Sequence, residues 1–267
     1  MRIKNILSFS MLFAAIISSC SDIADDERFI KGEPVISSGR NVLIEDFTGQ
    51  NCLNCPLAMA EIDKMHETFG EKVIAVGIYG GPFGKTLAGK YYPLTTELGD
   101  YYNTRQNIQE QPNGYINRKV LTSNYVTWSG IVTDMLAENA VVGIKCNNDY
   151  DSDTRQATIS VTTMAIESVA DTRLQVWLVE DDVTDMQRQP DGSMDRQFIH
   201  NHVLRQSVSD RDGDPVSVVK DGVVEKSYTI TIDEAYKAED LYVVAFVFSQ
   251  SGVEQVIKEK LIKTVAE

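Results

Sequence analysis

A chain of 267 residues has room for one large domain or two of ordinary size, and a hydrophobic content of 43% is ample for a packed core. Its 39 acidic and 25 basic side chains leave a formal net charge of −14 and a pI near 4.7. Such a surface repels phosphate, which excludes nucleic acid as a partner; otherwise the acidity speaks only to solubility.

The first segment reads as a targeting signal. Arg2 and Lys4 precede an apolar run, Ile6 to Ile17, of signal-peptide length and too short to span a bilayer comfortably. It closes on ISSC, Ile17 to Cys20, which resembles the lipobox of bacterial lipoproteins. The resemblance implies a signal peptide over residues 1–19 and diacylglycerol on the thiol of Cys20, an anchor worth about 0.8 kcal/mol per buried CH2. Asp22, Asp25, Asp26 and Glu27 follow at once. This cluster is similar to the acidic signal that sends Bacteroidetes lipoproteins to the cell surface, and it equally suits a solvated linker kept extended by like charges. Residues 20–40, with Gly32, Pro34 and Gly39, are thus expected to be a lipidated acidic tether to the outer membrane, on its surface or its periplasmic face.

From residue 41 strands and helices alternate. NVLIEDF is a short buried strand. After two cysteines, Ala58, Ile62, Met65 and Phe69 recur at helical spacing, and Gly70 stops the helix. KVIAVGIYG is a second buried strand, parallel to the first as a βαβ unit demands. GYINRKVL suits a strand or hairpin, and WSGIVTDMLAENA puts Ile131, Met135 and Leu136 on one helical face. A mixed sheet with helices on its faces is the sum over residues 41–140. From Val141 the period becomes two. QATISVTTM, RLQVWLVE, FIHNHVLR, EKSYTITI, LYVVAFVF and VIKEKLI read as strands separated by polar turns. About seven strands without a long helix predict an antiparallel β-sandwich over residues 141–267. Cys146 alternates with Val142 and Ile144 and is expected to be a buried apolar residue of that half.

The chemistry concentrates in VLIEDFTGQNCLNCP. A helix starting at Cys52 would aim unpaired N–H groups at its sulfur and favour thiolate, with Cys55 one turn inward to resolve a mixed disulfide. Zinc needs two further ligands near in space, and no second C-x-x-C exists. A structural staple closing so short a loop constrains the unfolded chain little. Redox chemistry is therefore the favoured reading, with no metal and no cofactor expected.

This segment resembles the thioredoxin-like proteins. The family carries Asp-Phe on the strand with Asp six residues before the first cysteine, where Asp46 and Phe47 stand, and a cis-proline opening a later strand, for which Pro112 in QEQPNGYINR is placed. The resemblance implies that Asp46 moves the proton of the second cysteine and that Pro112 orients substrate backbone. Asn51 and Leu53-Asn54 depart from the family's Trp and Gly-Pro. The interval from Gly80 to Tyr102 is an insert that covers the disulfide, forms a contact face, or is one extra helix with a loop. Lipobox, FTGQNCLNCP, PNGYINR and HNHVLR together resemble an outer-membrane lipoprotein family of Bacteroidetes that shares an adhesin label with an oral species. Two functions remain open. One is a thiol-disulfide oxidoreductase acting on protein thiols or disulfides through Cys52, Cys55, Asp46 and Pro112. The other is a surface adhesin or ligand-binding lipoprotein whose thioredoxin-like half is a scaffold.

Three further patterns weigh less. GGPFGKT has Tyr79 where a phosphate loop needs its first glycine. DYDSDTRQ has Thr154 where a calcium loop needs glycine. His200 and His202 are expected on one face of a strand as a partly buried pair.

Overall fold

The computed structural model describes residues 39–86 and 88–262. The segment at 1–19, Cys20 and the tether as far as residue 38 lie outside the described residues.

β1 (Val42–Thr48) and β2 (Val73–Tyr79) are buried along their whole length. They pair in parallel from Val42↔Val73 to Thr48↔Tyr79, and α1 (Cys55–Phe69) makes the crossover. Ala58, Ile62 and Met65 form the buried stripe of α1. Gly70 ends it at φ 61°, a conformation that side chains resist. β3 (Asn113–Ile116) runs antiparallel to β1 on its other side, and β4 (Val120–Thr122) antiparallel to β3.

Asn117 and Arg118, both left-handed at φ 46° and 52°, turn the chain between β3 and β4. Each does a second job. The Asn117 side chain accepts a hydrogen bond from Leu43 N at 2.8 Å, and its carbonyl accepts one from Val253 N at 2.8 Å. The Arg118 guanidinium forks onto the buried Glu45 carboxylate at 2.9–3.2 Å and lies 4.8 Å from the Phe246 ring and 4.4 Å from the Phe248 ring.

α2 (Glu97–Arg105) falls within the insert, capped by the Thr96 side chain at Gly99 N. α3 (Trp128–Leu136) buries Trp128, Val132 and Met135, so its inner face is turned from the expected one; Ile131 and Leu136 are only partly buried. Trp128 sets that orientation, because a ring of that size fills the space beside Gly114.

The expected strands after residue 141 form, and they fall into more than one sheet. β5 (Val142–Asp151), β6 (Gln156–Ala165) and β12 (Val223–Thr231) make a three-stranded antiparallel sheet. β7 (Arg173–Glu180), β10 (Val203–Ser207), β13 (Leu241–Ser249), β14 (Gly252–Lys260) and the two-residue β11 (Asp214–Pro215) do not form a second sheet of their own. They continue the N-terminal sheet, in the order β14-β13-β7-β10-β2-β1-β3-β4 with β11 beside β7. The junction is slim: Val203 pairs with Gly77, whose N–H donates to the His202 carbonyl at 2.8 Å. Residue 140 therefore marks a change of sequence period, while the sheet runs across it.

One face of β7 and β13 (Leu174, Val176, Leu178, Val243, Ala245) packs on β5 and β6. The other (Trp177, Val179, Val244, Phe246) shares a core with Leu43, Phe47, Ile74, Val76 and Ile78 of β1 and β2. Burial on both faces explains why these strands read as nearly continuous apolar runs.

β8 (Val183–Arg188) and β9 (Met194–His200) form a hairpin outside both sheets. FIHNHVLR, expected as one strand, is thus two, with a corner at His202 where φ is 61°. The corner lets the chain leave the hairpin and enter β10, and it separates the two histidines. No helix among the described residues is long and apolar enough to cross a membrane.

Candidate functional site

Asp46 sits on the face of β1 that looks toward α1, two residues from Ile44 of the α1–α3 core. Its neighbours in register are both glycines, Gly77 on β2 and Gly114 on β3. Trp128 fills the space beside Gly114, and the missing side chain of Gly77 leaves room above the carboxyl. A cavity of about 60 Å3 lies there, bounded by Met59, Ile62, Asp63, Gly77 and residues of the β9–β10 corner. Asp46 is 2% exposed and its Oδ1 has no protein hydrogen-bond partner. Burial pushes its pKa from 3.8 up to about 7. The strand thus presents a carboxyl that holds or gives up a proton near neutrality.

Beyond Thr48 the chain turns through Gly49, Gln50 and Asn51 to the cysteines, which form a disulfide with Cα atoms 5.4 Å apart. α1 begins at Cys55, with Asn54 as its N-cap, three residues later than expected. Pro56 explains the shift: in a helix begun at Cys52 it would fall where an N–H must bond the Cys52 carbonyl, and proline has none. Placed in the first turn, it costs no bond.

Both cysteines are buried, Cys52 at 1% and Cys55 at 0%, although Leu53 between them is 40% exposed. The loop that carries Cys52 is held from two directions. From the insert, the Phe83 carbonyl accepts from Asn51 N at 3.3 Å, and Leu94 N donates to Gln50 Oε1 at 2.8 Å. From β8, Gln50 Nε2 donates to the Met186 carbonyl at 2.8 Å, Arg188 N donates to the Gln50 carbonyl at 2.9 Å, and Gln187 Nε2 donates to the Cys52 carbonyl at 3.0 Å. Gly49 permits this closeness: a Cβ there would stand 2.8 Å from the Phe83 backbone and 2.9 Å from Gln111 Oε1. Of the readings left open for the insert, one extra helix with a loop is realised in α2, and the insert also bonds to the loop that leads into the cysteines.

The Gln111–Pro112 peptide is cis and leads directly into β3. Gln111 ties this segment to the same loop, donating to the carbonyls of Thr48 at 3.0 Å and Gly80 at 2.9 Å. Asp46, Cys52, Cys55 and Pro112 are therefore carried by β1, the loop after it, the head of α1 and the start of β3. Cys146 is buried on β5, with its Sγ 3.0 Å from Asn148 Oδ1.

The histidines part company. His200 is fully buried and shares a 2.8 Å hydrogen bond with the Tyr79 hydroxyl, and burial pulls its pKa down to about 4. His202 pairs instead with Asp181 at 3.2 Å, beside Lys258 and the edge of the His66 ring. Burial alone would raise Asp181, but the hydrogen bond and charge of His202 and the Lys258 ammonium hold it well below the usual carboxylate range. Among the described residues no group of three or more His, Cys, Asp or Glu is arranged to hold a metal ion.

Gln50 and Gln187, which hold the cysteine loop, carry no signal in composition or spacing, since their role depends on contacts between residues more than 130 positions apart.

Residues 99–265 match the family model described as outer membrane protein Omp28. No curated protein matches the chain. Among solved structures, HBP35 of Porphyromonas gingivalis superposes with a TM-score of 0.68 at 17% identity, covering 86% of this chain and 81% of that one. Protein AGR_C_4864 from Agrobacterium tumefaciens gives 0.53 at 13% identity, over 87% and 98%. A domain of the outer membrane lipoprotein Omp28 from Porphyromonas gingivalis is 24% identical over 46% of this chain and 88% of its own, with a TM-score of 0.34. The first two are likenesses of fold.

Proposed function

The chain belongs to the Omp28 outer membrane protein family, so its place is the outer membrane, and from that premise we propose that it performs thiol-disulfide exchange on proteins of the envelope or the exterior. In this reading the mature protein is held by lipid on Cys20, residues 41–140 are thioredoxin-like, and residues 141–267 supply a β-sandwich built onto the same sheet. The observation that carries it is the Cys52–Cys55 disulfide at the head of α1, next to a strand bearing a buried acid that titrates near neutrality.

From the oxidised state, a partner's thiolate attacks Cys52 Sγ. The Cys52–Cys55 bond breaks, and its electron pair leaves on Cys55 Sγ, which takes a proton from Asp46. A second partner thiolate attacks the partner's own sulfur in the mixed disulfide, closing the partner's disulfide and releasing Cys52 as thiolate. The partner loses two electrons and the cysteine pair gains them. In reverse, Cys52 thiolate attacks a substrate disulfide, Cys55 resolves the intermediate, and Pro112 orients the substrate backbone.

Burial of both cysteines favours a second reading, in which the disulfide is retained in the scaffold of a surface adhesin or ligand-binding lipoprotein. Trapping separates the two. Cys55→Ser should accumulate mixed disulfides through Cys52, and Cys52→Ser almost none. No trapped partner in either variant, with both thiols labelling alike, would move the assignment to the binding protein.

A further inference from the structure

The proposed exchange needs a partner sulfur to meet Cys52, yet Cys52 is 1% exposed. We infer that the β8–β9 hairpin is a hinged cover latched over the disulfide, and that Gln187 and Gln50, which hold it shut, determine what can reach Cys52. The inference rests on the exchange reading and extends it to access.

The latch is polar. Gln187 is fully buried and spans the Cys52 carbonyl at 3.0 Å and the Gly49 carbonyl at 3.4 Å, while Gln50 bridges the Met186 carbonyl and Leu94 N. Arg188 adds its N–H to the Gln50 carbonyl and its guanidinium to Asn51 Oδ1 at 3.2 Å. These hydrogen bonds exchange readily for bonds to water, so their net hold is modest compared with an apolar seam. Val183, at the base of the hairpin, packs on Tyr79, Leu94 and Val203. The strands beyond it belong to neither large sheet.

The hinges are at the base. The chain leaves β7 through Asp182 at φ 57° and enters β10 through His202 at φ 61°. Two cross-bonds tie these points together: Asp182 N to Asn201 Oδ1 at 3.0 Å, and His202 N to Asp181 Oδ1 at 2.7 Å. A hairpin mounted on paired turns can swing without breaking a ladder of the main sheet. Its far strand also matters, because Phe198, Ile199 and Asn201 wall the cavity above Asp46. One movement therefore uncovers Cys52 and admits water to Asp46.

The test uses the full chain and needs no natural partner. Dithiothreitol reduces the Cys52–Cys55 disulfide, supplying two electrons and two protons and leaving as its cyclic disulfide. Gln187→Ala should speed this reduction about ten-fold, as loss of hydrogen bonds to buried carbonyls predicts. In the unaltered protein, the Arg188 amide should exchange with solvent faster than the Trp177 and Val244 amides of the main sheet, a readout independent of whether the variant folds. Reduction of Gln187→Ala at the wild-type rate, or an Arg188 amide as protected as that of Trp177, would overturn the cover. Because no protein substrate is involved, failure to trap partners with Cys55→Ser would remove the exchange reading and leave the cover standing.

Discussion

Replacing Asp46 by asparagine tests the central electrostatic claim. In the folded chain the carboxyl keeps its proton to about pH 7, whereas in the unfolded chain it ionises near 3.8. Between those values the unfolded state binds fewer protons, so folding stability falls as pH rises. Each pH unit is worth about 1.4 kcal/mol, and about three units give a loss of about 4 kcal/mol between pH 4 and pH 8. Water entering the cavity above the carboxyl reduces this figure. Asparagine does not titrate, so its burial adds a constant offset and nothing else. The measurement is urea unfolding of the oxidised protein and of Asp46→Asn at several pH values. Their stability difference should move in favour of the variant by up to about 4 kcal/mol from pH 4 to pH 8. A difference that stays flat across that range would mean that Asp46 titrates normally, and its proposed proton-carrying role would go with it.

Other expectations follow from single contacts. Arg118→Ala leaves the Glu45 carboxylate buried without its cation and should cost about 3–5 kcal/mol of unfolding free energy at neutral pH. His200, held neutral by burial down to about pH 4, makes the fold weaker as pH falls from 6.5 toward 4, because only the unfolded chain takes up the proton. In the Asp46→Asn background, free of the opposing titration, this should appear as a loss of about 3 kcal/mol over that window by urea unfolding. Cys20→Ala should release the protein from membranes; retention with residues 1–19 still attached would argue against the lipid anchor.

How much of this was legible in the chain depends on the range of the interactions. β1, α1 and β2 announce themselves because continuous apolar runs and a helical stripe are local patterns. The cysteine motif points to a helix that starts at Cys52, whereas Pro56, whose missing N–H decides where the first turn lies, sets its start at Cys55. FIHNHVLR looks like one strand because alternation continues across the corner, and a left-handed histidine leaves no mark in composition. The sharing of one sheet by the two halves was illegible for a deeper reason. The contact between Val203 and Gly77 joins residues far apart in the chain, and each strand is as apolar in a separate sandwich as in a continued sheet. The site divides in the same way. Asp46, Cys52, Cys55 and Pro112 are nameable as candidates from sequence, whereas the contacts of Gln187 and Met186 with the cysteine loop are not.

The continued sheet has a consequence for how this protein can be taken apart. The family match begins at residue 99, after both cysteines and Asp46, so the segment that carries the family likeness lacks the cysteine pair. An expressed fragment starting near residue 141 would keep β7, β10, β13 and β14 but lose β1 and β2. β10 would become a raw edge, and Trp177, Val179, Val244 and Phe246 would lose the partners that dry them. Such a piece should self-associate or precipitate rather than report on a free-standing module.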